Sequence, residues 1–329
     1  MTRSGIFWIG GVLFSLIAVI SFVLFYLTIP HSIYELKYDL DTSVIEYRLR
    51  QHIWKLSEEI GERHYENPGS LQKTADYIED VLNQSGLKPE EQIYGNDYKN
   101  IIAEIPGLVT PNEIILIGAH YDTVWMSPGA DDNASGVSVL LELARILSSY
   151  RFEKTLRFVA FTNEEQPFAD SANMGSIINA QRSRILHENI VAMYSLEMLG
   201  YYSDKPGSQH YPSPLDRFYP DRASFIAFVA NLSSGMLLAR TLFAFRQLSD
   251  FPNQGLLAPE SLVPDIRRSD HASFWDAGYP AIMVTDTANF RNINYHTVGD
   301  VERTLDYEKM AKLTRDLALT FSSLARPAD

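Results

Sequence analysis

Apolar residues recur along this chain with two periods, and the two alternate. Short runs dense in Ile, Val, Leu and Phe at 100–105, 113–119, 156–162, 190–196, 224–230 and 281–285 have the length and composition of strands. Between and around them, 43–60, 70–87, 136–149, 176–188, 235–245 and 307–324 repeat their apolar residues at helical spacing, and "NPGS" before the second of these is a turn and cap signal. Strands alternating with helices predict an α/β fold: a single mixed, largely parallel sheet with helices on both faces. The stretch 201–219, rich in Pro, Tyr and Ser, reads as a long loop of the kind that often binds ligands.

A third pattern precedes these. Residues 6–29 contain no charge over 24 positions, more than the roughly 20 a helix needs to cross a bilayer. The apolar part of a signal peptide is only about 7–15 residues and ends in small residues, whereas this one ends in "YLTIP". The expectation is a retained transmembrane anchor at 6–29, a short cytoplasmic N-terminus at 1–5, a linker at 30–42 and a globular domain at 43–329. Arg3 precedes the span and Lys37 is the first basic residue after it, which favours a domain outside the cytoplasm.

Composition narrows the chemistry. The 329 residues are 46% hydrophobic, enough for a large core, and the formal net charge of −13 disfavours nucleic acid as a partner. With no cysteine, disulfides, thiolate metal sites and cysteine nucleophiles are excluded, so any metal must be held by His and carboxylates.

Such residues gather where predicted strands end. "ILIGAHYDTV" closes its apolar run on His120 and Asp122, and Asp131 and Asp132 follow just before a helix. "RFVAFTNEE" ends on Glu164 and Glu165, "MYSLEML" on Glu197, and His296 lies in the loop after 281–285. Singly, each has an ordinary explanation: a capped histidine, a solvated acidic pair, Asp131 as a helix cap. Together, at the sheet edge where open α/β folds bind ligands, they would repel one another unless a cation neutralised them. Two imidazoles and several carboxylates suit Zn2+, with Mn2+ or Co2+ as substitutes.

"GAHYDTV", "PGADDNASG", "NEE", "SLEMLG", "RSDHASFWDAGYPA" and "YHTVGD" resemble, in order, the motif series of the co-catalytic dizinc exopeptidases. That family holds bacterial leucyl aminopeptidases, aminopeptidase Y, glutamate carboxypeptidases and, as a divergent branch, glutaminyl cyclases. The resemblance covers 43 to the C-terminus. It implies two Zn2+ per chain, bridged by Asp132, with His120 and Glu197 completing one site and Glu165 and His296 the other. It further implies Glu164 as general base, Asp122 behind His120, Ser269 behind Glu197, and a cis Asp132–Asn133 peptide. The tyrosine that some relatives use as an oxyanion donor is replaced by Ile266, leaving Arg267 or Arg268 as substitutes.

The function so implied is a membrane-anchored aminopeptidase acting on peptides with a free N-terminus. A glutaminyl cyclase would carry "DS" and "DGEE" where this chain has "DN" and "TNEE", and a silent receptor or scaffold would have lost metal ligands. A carboxypeptidase is not separated by the ligand set. Aromatic and apolar residues of 201–254 suggest an apolar specificity pocket, although core packing accounts equally for Phe225, Phe228 and Phe243.

Overall fold

A computed structural model describes residues 40–213 and 215–328. The expected N-terminus at 1–5 and membrane span at 6–29 lie outside the described residues. Among the described residues, no helix is long and apolar enough to cross a membrane.

Eight strands form one sheet among these residues: β1 (Glu90–Tyr94), β2 (Tyr98–Ile105), β3 (Thr110–His120), β4 (Lys154–Phe161), β5 (Asn189–Glu197), β6 (Ile226–Ala230), β7 (Asn253–Leu257) and β8 (Ala281–Thr285). Their order is β1-β2-β4-β3-β5-β8-β6-β7. The four central strands β4, β3, β5 and β8 run parallel. Antiparallel pairings flank them at β1–β2, β2–β4 and β6–β8, and the edge pair β6–β7 is again parallel, so the sheet is mixed with its main parallel part at the centre.

The helices are α1 (Thr42–Ile53, continued by a π-helical turn to Ile60), α2 (Pro68–Gln84), α3 (Gly136–Leu147), α4 (Gly175–Ile185), α5 (Gly235–Leu248), α6 (His271–Asp276) and α7 (Tyr307–Ala325). Strand β3 shows how they cover both faces. Its Ile115, Ile117 and Ala119 join a core with Leu49 of α1, Leu140 of α3 and Phe321 of α7, while Ile114 and Leu116 pack in a second core with Phe274 and Trp275 of α6.

Central strands buried on both faces read as unbroken apolar runs, which made them visible in the sequence. Strands β1 ("EEQIY") and β7 ("NQGLL") are half-exposed edges built from charges, amides and a glycine, and α6 has six residues, too few for a repeating pattern. The sequence reading has none of the three.

Candidate metal centre

Parallel strands deliver their carboxyl ends to one edge. His120 is the last residue of β3 and Glu197 the last of β5; Glu164 and Glu165 lie in the turn after β4, and His296 in the loop after β8. Asp132 enters from a kinked turn, Ala130–Ser135, that leads into α3; its backbone is non-helical (φ −106°, ψ 90°) and the Asp132–Asn133 peptide is cis.

The five expected ligands fall into two groups that share one residue. His120 Nε2 lies 3.3 Å from Asp132 Oδ1 and 3.3 Å from Glu197 Oε2. His296 Nε2 lies 3.1 Å from Asp132 Oδ2 and 3.1 Å from Glu165 Oε1. Asp132 thus turns one carboxylate oxygen to each group, and within each group the ligating atoms lie within 4.8 Å of one another. Four donors at ~2.05 Å around a tetrahedral zinc stand roughly 3.3 Å apart, so the donor spacing fits that ion.

The polar atoms at the centre want a cation. His120 Nε2 and Asp132 Oδ1 are buried with no hydrogen-bond partner among the described residues. Burial is the largest influence on both histidines and opposes their protonation. Glu197 and Glu164 nevertheless hold His120 well above its ordinary range, and hydrogen bonds to Asp132 and Glu165 raise His296 to about 10. Burial lifts Glu165 to about 7 and Glu164 well above a normal glutamate. Burial also works against ionisation of Asp132, but the imidazoles of His120 and His296 close beside it outweigh that and hold the carboxyl below its usual range. Carboxylates so crowded either take up protons or share a multivalent cation.

A surrounding layer fixes these side chains. His120 Nδ1 is 3.2 Å from the Asp122 carbonyl oxygen and 3.5 Å from its carboxylate. That carboxylate accepts the backbone N–H groups of Glu164 and Glu165 at 3.1 and 3.0 Å, so Asp122 ties the β3 end to the β4 turn. Ser269 Oγ donates to Glu197 Oε2 at 2.7 Å. Asp131 does not cap α3; it accepts from Gly200 N and Asn292 Nδ2.

Three residues absent from the sequence reading complete the layer. Asp300 accepts the backbone N–H groups of Asp131 and Asp132. Arg63, fully buried, donates to the carbonyls of Leu56, Gly61, Tyr121, Pro128 and Gly129, spanning the segments that carry His120 and Asp132. A Cβ on Gly129, whose φ is 61°, would meet that guanidinium at 2.9 Å and Asp132 O at 2.3 Å. Asp270 is buried with neither carboxylate oxygen hydrogen-bonded among the described residues, and burial raises it to about 7. The "YHTVGD" and "RSDH" motifs contained Asp300 and Asp270; Arg63 had no local signal.

Arg267 is bound to Glu260 and Asp276, which takes it out of contention as a free donor. Arg268 donates to Asn289 Oδ1 and Tyr295 OH instead. Ile266 is buried. A cavity of about 300 Å3 opens on Asp132, Glu164, Glu165, Glu197 and His296, and Met174, Phe225, Val229, Leu256, Ile266 and Met283 are among its walls. Phe225 therefore faces the cavity, while Phe228 packs in the core.

Two relatives match this chain in sequence and two solved structures match it in fold. The uncharacterized protein YfbL of Escherichia coli is 38% identical over 278 residues, 81% of this chain and 84% of that protein. A probable zinc metalloprotease of Pyrenophora tritici-repentis is 29% identical over 72% of this chain, which spans only 59% of that relative's length. BSAP, a zinc aminopeptidase from Bacillus subtilis, matches in fold with a TM-score of 0.65 at 15% identity, covering 85% of this chain and 95% of that one. A glutaminyl cyclase from Tannerella forsythia matches with a TM-score of 0.58 at 19% identity over 84% of this chain and 97% of that one. Fold, donor set and relatives define a metallo-exopeptidase. The chain belongs to peptidase family M28, whose profile matches residues 100–321.

Proposed function

We propose that this protein is a membrane-anchored zinc aminopeptidase with two Zn2+ per chain. The observation that carries the reading is the division of Asp132: Oδ1 faces His120 and Glu197, and Oδ2 faces His296 and Glu165. Bound there, a zinc pair supplies Lewis acidity and makes water a nucleophile at neutral pH.

Glu164 is the general base. It lies beside the ligands, with Oε2 3.9 Å from His120 Nε2, yet belongs to neither ligand group. Its carboxylate takes the proton of the attacking water and delivers it to the leaving amine. Asp122 holds the Glu164 and Glu165 backbone in place for both tasks. The cavity walls receive the apolar side chain of the N-terminal residue. Gln209, the buried amide among the walls, is occupied by Thr287, His210 O and Arg291, so it adds little polar demand. Asn133 and Asn163, where a cyclase would carry "DS" and "DGEE", favour hydrolysis over cyclisation.

Activity of the full chain on aminoacyl anilides, N-blocked peptides and N-terminal glutaminyl peptides tests this. Hydrolysis of unblocked apolar anilides is expected; turnover of N-blocked peptides, or cyclisation of glutaminyl ones, contradicts the reading. Zinc analysis should give two ions in the wild type and loss of both in Asp132→Asn.

A further inference from the structure

The two histidines of the centre are held in different ways. His120 is fully buried and braced on its far nitrogen by Asp122. His296 stands on a loop, its side chain 34% exposed, and no hydrogen bond reaches its Nδ1 among the described residues. A ligating imidazole without a partner on its second nitrogen is free to rotate about its side-chain bonds, and such partners commonly set metal affinity.

Another contact takes the place of that bond. The Tyr295 ring lies against the His296 ring with centroids 3.7 Å apart and planes at 19°. Neighbouring side chains on extended backbone point to opposite sides; here His296 has φ 57°, in the left-handed region, and the two rings face each other. Tyr295 is itself pinned: its hydroxyl accepts from Arg268 at 3.0 Å, and Arg268 also donates to Asn289 Oδ1 at 3.1 Å. Arg267, its neighbour in sequence, is committed to the carboxylates of Glu260 and Asp276.

We propose that Tyr295 is the positioning residue for His296, holding the imidazole by ring stacking, and that Arg268 fixes Tyr295 from the cavity rim. An electron-rich phenol face against an imidazole that gives its lone pair to a cation is an attractive pairing, strengthened when the metal draws charge from the ring. The inference rests on the reading of His296 as a metal ligand.

Zinc affinity of the full chain, measured by chelator competition, tests it without reference to turnover. Tyr295→Leu should weaken one of the two zinc sites about 10- to 100-fold, as loss of a ligand's outer partner does. Tyr295→Phe keeps the ring and should restore most of that affinity. Arg268→Met removes the pin from an exposed position and should weaken the same site severalfold, with no further loss when combined with Tyr295→Phe. His296→Ala is the reference. If it weakens one site while Tyr295→Leu and Arg268→Met leave both sites at wild-type affinity, the positioning role is overturned. Should Tyr295→Leu fail to fold, wild-type affinity in Arg268→Met together with a normal Tyr295→Phe overturns the arrangement as drawn. If His296→Ala weakens neither site, it is the ligand reading that falls, and the inference with it.

Discussion

Glu164 and Glu165 are neighbours in sequence but meet different histidines: Glu165 Oε1 lies 3.1 Å from His296 Nε2, whereas Glu164 Oε2 lies 3.9 Å from His120 Nε2. Their substitutions should therefore fail differently. Glu164→Gln keeps every proposed ligand, so zinc content should persist while kcat falls on the order of 10²–10⁴. Glu165→Gln should lower zinc occupancy, and added zinc should recover part of the activity; elemental analysis beside steady-state kinetics separates the two. His271 offers a test of stability. Burial lowers this imidazole to about 4, and Nε2 donates to Ile266 O at 2.6 Å. The unfolded chain takes up that proton near pH 6.5, before the folded one does. Stability from this group is then full above pH 6.5 and is lost as pH falls toward 4, on the order of 3 kcal/mol in all. Urea titrations of wild type and His271→Gln should show a shallower loss over that window in the variant.

At the scale of elements, strand ends bring the ligands together but loops aim them, and the loops are braced by buried groups far away in sequence. Arg63, after the π-helical turn, shows this best. Burial lowers its pKa to about 10, with Asp300 first among the carboxylates that oppose the shift, so it stays charged at neutral pH. Arg63→Met strands the carbonyls of Tyr121 and Pro128 without their donor, while Gly129 O keeps the Ala134 N–H. At about 1–3 kcal/mol per stranded buried acceptor, the variant should lose at least about 2 kcal/mol in urea denaturation of the zinc-free chain. Zinc affinity should fall as well, because both the His120 and the Asp132 segments are released. An unchanged midpoint would mean that the clamp is dispensable.

For the whole molecule, the proposed anchor at 6–29 predicts that the full chain fractionates with membranes, with its peptidase domain open to added protease from the extracytoplasmic side; recovery of a soluble mature chain beginning near Pro30 would contradict it. The central strands and the amphipathic helices were legible in the sequence because burial on one or both faces imposes a period on the residues, and β8 was delimited to the residue. His120, Asp132, Glu164, Glu165, Glu197 and His296 could be picked out because each lies at or beyond the end of an apolar run, and charge there asks for a reason. What the sequence could not supply is relation across space. Edge strands β1 and β7 bury too little to leave a pattern. Arg63 is 58 residues from the Tyr121 carbonyl it grips, and Arg267 and Arg268 are equal on paper until their partners are seen. The order of residues decided which groups reach the sheet edge, since strand periodicity and chain direction are local. Tertiary structure alone decided which oxygen of Asp132 faces which histidine, and which arginine reaches Tyr295, because hydrogen bonds and ion pairs form between neighbours in space whatever their separation along the chain.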